Sequence, residues 1–214
     1  MDKSENISII ISGVSKQYFR QKGIHNITTN FESGKLNIII GENGSGKSTL
    51  LKCIMGLVEY KGKIDKQKYR IGYAPEEFVM PLSMNVIEFL HSIGRIKGVQ
   101  EEELNERTIY YLQYFDLLEY KHKKIGSLSN GMRQKINLLQ AFIHNPKILI
   151  LDEPLAALDQ DSIPKVIKLI KERAKISLVV VSTHQLHKFR FKNRKLYRFF
   201  EGRLINDNVD EVIL

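Results

Sequence analysis

Apolar residues come in short blocks along this chain, and polar turns separate them. Residues 7–11 alternate weakly, which predicts a first strand. A turn near Lys22-Gly23 precedes a second strand ending at Phe31, and Glu32-Ser33-Gly34 is another turn. Leu36 to Ile40 is apolar but for Asn37, the mark of a strand buried on both faces. A helical pattern then begins at Ser48 and runs to about Leu57. Lys61-Gly62-Lys63 punctuates its exit, and Arg70 to Ala74 reads as a short strand. From Pro81 to Leu118 the period turns helical, with breaks expected around Gly94 and Gly98; the stretch EEELNERTIYYLQYFDLLEY spaces its apolar residues at three and four. After SLSNG come a helix from about Met132 to His144, a strand at Ile148–Leu151 and a helix from about Ser162 to Lys175. A strand at 178–181 and a hairpin over 195–205, turning at Glu201-Gly202, complete the reading. Buried strands between helices predict an α/β core.

The chain has 214 residues, 43% of them hydrophobic and 27% charged, so a globular fold is expected. No apolar run approaches the ~20 residues that cross a bilayer. The acidic start MDKSENISIII does not read as a secretory signal. The single cysteine, Cys53, sits in the apolar pattern LLKCIMGL and reads as core. Six scattered histidines offer no metal-ligand spacing. The formal net charge of +9 permits nucleic acid, an anionic membrane face or anionic nucleotides as partners, and equally an ordinary solubilising surface.

The sharpest chemical signal is GENGSGKS at 41–48, followed by Thr49, which matches G-x-x-x-x-G-K-[ST] between an apolar strand and a helix. Glycines at 41, 44 and 46 let the backbone fold tightly and point amide hydrogens at a phosphate. The helix N-terminus adds donors and a favourable dipole. Lys47 is placed to reach the β and γ phosphates, and the Ser48 hydroxyl to hold Mg²⁺. The candidate nucleotide contacts in this loop are Gly41, Asn43, Gly44, Ser45, Gly46, Lys47, Ser48 and Thr49. ILILDE at 148–153 delivers Asp152 to a strand end as a Mg²⁺ ligand, and Glu153 beside it can orient and polarise an attacking water.

Together these motifs resemble the nucleotide-binding subunits of ABC transporters, most nearly bacterial export-type ATP-binding subunits encoded apart from their membrane partner. The resemblance covers nearly the whole chain. It implies a P-loop NTPase of the ABC ATPase type over residues 1–214, with an N-terminal antiparallel β part and a helical subdomain over about 81–140. It places Tyr18 on adenine, and Glu76, in IGYAPEEFVM, where the family usually has a glutamine at the magnesium site. SLSNGM resembles the family's leucine-serine-glycine-glycine-glutamine signature. Asn130 replaces a glycine and Met132 the glutamine, while Ser129 and Gly131 keep the phosphate-facing positions. In the family this segment closes on ATP held by a second chain. LAALD at 155–159 resembles the loop at the dimer seam, carrying Asp159, and His184 in STH resembles the histidine that contacts the γ phosphate.

The resemblance implies MgATP hydrolysis with Lys47, Glu153 and His184 as catalytic residues and Ser48, Glu76 and Asp152 around Mg²⁺. It implies a homodimer or a heterodimer with a second ATPase, and a separately encoded transmembrane permease at the cytoplasmic face of the cell membrane. Export is favoured by the acidic PEE at 75–77 and the compact size. Nucleic acid is an unlikely partner. The alternatives are an ABC-type ATPase that remodels a ribosome or nucleic-acid complex, and an ATP-sensing clamp without turnover.

Overall fold

The computed structural model describes residues 6–19 and 23–206. The chain divides into two compact units, one formed by residues 1–69 with 170–214, the other by residues 70–169.

The first unit opens with β1 (Ser8–Gln17) and β2 (Gly23–Glu32), which pair antiparallel from Ser8↔Glu32 to Gln17↔Gly23. A strand that the sequence reading missed, β4 (Lys61–Lys66), pairs on the other side of β1. Its sequence, KGKIDK, is almost wholly polar because this edge strand is largely exposed. No hydrophobic alternation was therefore present to reveal it. β1 also runs six residues beyond the expected end at Ile11, with register shifts between Ile11 and Lys16 that interrupt its alternation. Of the turn expected near Lys22-Gly23, Lys22 lies outside the described residues, and Gly23 begins β2.

In the same unit β3 (Leu36–Ile40) lies between parallel neighbours β7 (Leu178–Thr183) and β8 (Arg194–Phe200). β9 (Arg203–Asn206) closes the expected hairpin antiparallel to β8. All five residues of β3 and all six of β7 are buried, as two-sided coverage of a parallel strand requires. Each such Ile, Leu or Val contributes roughly 1.5–3 kcal/mol of burial. The one polar residue in β3, Asn37, is satisfied: it donates to the carbonyls of Glu32 (2.9 Å) and Val179 (3.1 Å) and accepts from the Tyr197 hydroxyl (3.0 Å). α1 (Lys47–Met55) follows the loop after β3 and buries Leu50, Leu51, Cys53 and Ile54.

In the second unit β5 (Ile71–Ala74) pairs in parallel with β6 (Ile148–Asp152). The helices are α2 (Val86–Ile96), α3 (Glu101–Tyr114) and α4 (Asn130–Phe142). α5 (Ser162–Ala174) begins in this unit and ends in the other. Asn85 starts α2 through a capping box with Glu88. The expected break at Gly94 is absent, and Gly94 lies inside α2. A Cβ there would come within 2.3 Å of the Leu104 side chain, so glycine serves the close packing of α3. The chain leaves α2 at Gly98, with φ 68° and a bond from the Val99 N–H to the Gly94 carbonyl (3.0 Å). α4 begins two residues before the expected Met132, because Ser129 caps it. Among the described residues no helix is long and apolar enough to cross a membrane.

Candidate functional site

The loop between β3 and α1 is a tight backbone ring around a lysine. Lys47 is 5% exposed, and its ammonium donates to the carbonyls of Gly41 (2.8 Å) and Glu42 (3.0 Å). Those bonds curl residues 41–47 into a concave loop. Glycine is required at 41: a Cβ would stand 2.4 Å from the Phe199 carbonyl oxygen and 2.7 Å from Ser45 Oγ. α1 starts from Gly46 in the left-handed conformation (φ 108°) with no side-chain cap, so its first-turn amides face the loop uncapped. Ser45 is buried, and its hydroxyl has no hydrogen-bond partner among the described residues. An orphaned hydroxyl, uncapped amides and a curled ammonium form the donor set that a phosphate chain satisfies. Asn43 and Gly44 stand exposed at the lip of the loop, and Ser48 and Thr49 are half-buried on the first turn of α1.

Two other predicted residues belong to this first unit. Tyr18 follows the last residue of β1 and is 41% exposed, with the Lys16 ammonium 5.1 Å from its ring centre. His184 follows the buried strand β7 and is exposed, with Gln185 Nε2 3.4 Å from its Nε2. A surface cleft of about 570 Å³ at Gly56–Tyr60 includes none of the predicted residues.

The second unit holds the carboxylates. Asp152 ends β6 and Glu153 follows it; both are buried, and Glu153 has φ 46°. That left-handed angle, rare for glutamate, turns the chain sharply at the strand end. Burial and then the Asp152 charge push the Tyr73 phenol above its ordinary range, which puts the carboxylate charge close to β5. Glu76 is exposed just beyond β5. Among the described residues no three His, Cys, Asp or Glu side chains gather as a metal-binding group, so Glu76 forms no such set with Asp152 and Glu153.

SLSNG leads into α4, which begins at Asn130. The exposed Ser129 caps the helix, its Oγ accepting from the Met132 N–H at 3.2 Å. A hydroxyl that accepts there still has its own proton to donate, so capping and phosphate binding are compatible. A Cβ on Gly131 would come within 2.9 Å of the Ala157 carbonyl oxygen, so glycine lets α4 approach the loop after β6. At the end of that loop the Asp159 carboxylate takes a 2.9 Å ion pair from Lys135 and a 2.8 Å bond from the Ser162 N–H. The bonding to Ser162 and Lys135 holds the Asp159 carboxyl far below the usual carboxylate range.

Sequence reasoning passed over the polar face of α4. Asn137 and Gln140, both buried, donate to the carbonyls of Pro75 (2.7 Å) and Tyr73 (2.6 Å), and so tie α4 to the chain just before Glu76. The signal was present: Gln134, Asn137 and Gln140 recur every three residues, a polar row on a helix otherwise read by its apolar positions.

With this geometry in place, comparison with known proteins is decisive for the class. The family model described as "ABC transporter" matches residues 24–156. The chain belongs to the ABC transporter family, and its fold is that of ABC ATPases, a class of ATP-hydrolysing P-loop enzymes. An ABC transporter ATP-binding protein of Bacillus subtilis, YxlF, is 33% identical over 83% of this chain and 62% of its own length, so the chain spans under two thirds of that relative. A phosphonates import ATP-binding protein of Treponema denticola is 29% identical over 94% of this chain and 89% of its own. The solved structure of an ATP-binding subunit of an ABC transporter superposes with a TM-score of 0.87 at 27% identity, covering 95% of this chain and 90% of that one.

Proposed function

We propose that the chain is the MgATP-hydrolysing subunit of a membrane transporter, working through a separately encoded transmembrane permease and most consistent with export. The observation that carries this reading is the Lys47 cradle, with its orphaned Ser45 hydroxyl and uncapped α1 amides, in a chain of the ABC family.

Each residue takes a distinct task. Backbone amides of residues 41–47 and the Lys47 ammonium bind the β and γ phosphates, and Tyr18 packs on the adenine. Ser48 and Asp152 hold Mg²⁺, with Glu76 contributing a further negative charge. When bound there, Mg²⁺ would supply positive charge to neutralise the phosphate oxygens. Glu153 orients a water and takes its proton as the oxygen attacks the γ phosphorus; the bond to the β–γ bridging oxygen breaks, leaving ADP and phosphate. His184 steadies the γ phosphate. Ser129 and Gly131 act on nucleotide held by a second ATPase chain, identical or not, and closure excludes water from the cleavage. Residues 81–140 form a helical subdomain that passes the closing motion to the permease at the cytoplasmic face of the membrane. The acidic Pro75-Glu76-Glu77 segment supports export.

The test is steady-state phosphate release together with Glu153→Gln. Wild type hydrolyses MgATP. The variant binds ATP, turns over at least ~100-fold more slowly for want of its base, and elutes as a dimer only with MgATP. Rapid turnover by Glu153→Gln would refute the assigned base, and no phosphate release by wild type would leave a sensing clamp.

A further inference from the structure

α4 grips the loop after β6 at two points. Near its start Gly131 lies against the Ala157 carbonyl, where even a methyl group would collide at 2.9 Å. One turn on, Lys135 reaches Asp159 at 2.9 Å. The two partners differ in setting. The Lys135 side chain is 11% exposed and that of Asp159 54%, so the helix commits a nearly buried cation to a carboxylate at the surface. Asp159 is also fastened downstream, where its Oδ1 takes the Ser162 N–H and starts α5. From the end of β6 to these anchors the chain makes two left-handed turns, at Glu153 (φ 46°) and at Ala157 itself (φ 58°), and one closing bond, from the Ala156 N–H to the Glu153 carbonyl (3.0 Å). Non-glycine residues in that region carry roughly 1–3 kcal/mol of strain each. A loop so strained keeps its shape only if its ends are held.

We propose that Lys135 is a positioning residue for hydrolysis: it fixes Asp159, and through it the strained 153–159 loop, so that Glu153 is held in its working orientation. The inference rests on the reading of Glu153 as the residue that orients water. Stability alone does not account for the pair. With Asp159 more than half exposed, water screens the pair, and ion pairs open to solvent contribute little to stability. Its value here is geometric, because misplacing a reacting group by ~1 Å can cost up to ~100-fold in rate.

The experiment compares kcat, KM for ATP and Tm in wild type, Lys135→Met, Lys135→Arg, Asp159→Asn and the double variant Lys135→Met/Asp159→Asn. Lys135→Met keeps the stem and removes the charge. It is expected to lower kcat about tenfold with KM within about twofold and Tm little changed. Lys135→Arg restores most of the rate. Asp159→Asn lowers kcat comparably, and the double variant is no slower than the worse single one, because both act through one contact. The proposal is overturned if Lys135→Met keeps wild-type kcat, or if the two single effects multiply in the double variant. A lower Tm with kcat unchanged also overturns it, by leaving the pair purely structural. If wild type itself releases no phosphate, it is the hydrolytic reading that fails, which is a distinct result.

Discussion

His144 shows what a single buried side chain imposes on the protein. It is 7% exposed and packs beside the Ile71 backbone. Burial, then the nearby charges of Lys97 and Arg70, push its pKa down to about 4. In the unfolded chain an ordinary histidine titrates near ~6.5. Between these values the unfolded state binds the proton and the folded state does not. The neutral imidazole's contribution is therefore complete above about pH 6.5 and is lost as pH falls toward 4, by at most ~3 kcal/mol. Urea titrations from pH 7.5 to 4 should show this slope in wild type and a shallower one in His144→Leu; equal slopes would disprove the account. Gly41 is constrained by space instead. Gly41→Ala puts a methyl group against the Phe199 carbonyl, so it should destabilise by more than ~1 kcal/mol and weaken ATP binding. A Tm scan and a fluorescent-nucleotide titration measure both. The loop proposed to meet phosphate was legible in the sequence because the spacing of its glycines and lysine is the motif. His144 and Lys135 were not, because their roles depend on which charges the fold brings beside them.

At the scale of elements α4 organises the second unit. Its N-terminus presents Ser129, its first turns grip the loop after β6, and its polar row holds the exit of β5. Ser129 combines a structural and a proposed chemical task, and substitutions separate them. Ser129→Ala loses the cap and should cost ~1 kcal/mol of stability as well as activity. Ser129→Asp keeps an acceptor for the Met132 N–H, so stability should hold. It cannot donate to phosphate and adds a negative charge, so hydrolysis should still fail. If Ser129→Asp keeps full activity, the cap is the residue's whole role. Asn137→Leu strands the Pro75 carbonyl without its donor, and an unsatisfied buried group costs ~1–3 kcal/mol; chemical denaturation reads that directly. Periodicity revealed the long helices and the apolar strands because their patterns repeat. It missed β4, whose exposed edge carries no pattern, and it broke α2 at a glycine that in fact accommodates α3. In both cases tertiary surroundings outweighed local preference.

For the whole molecule, the decisive question is what the proposed ATPase drives. Its described residues include no helix long and apolar enough to span a bilayer, and in the proposed reading the permease supplies the path. Its net charge of +9 also allows an anionic partner such as RNA, and the two possibilities respond differently to salt. A permease docks over a specific surface and should survive moderate ionic strength. Binding led by phosphate contacts weakens steeply, by about 10³–10⁵ between 50 and 200 mM salt for six to ten contacts. The tagged chain, captured from native membranes in mild detergent at ~200 mM salt, should therefore bring down a stoichiometric multi-span membrane protein. A second ATPase in the same complex would mean a heterodimer, and its absence a pair of identical chains. Ribosomal proteins or RNA recovered only at low salt, with no membrane protein at any salt, would instead indicate an ATPase that remodels nucleic-acid complexes. The Lys47 cradle and Glu153 would serve either machine, because the cleavage chemistry does not depend on what the closing motion moves.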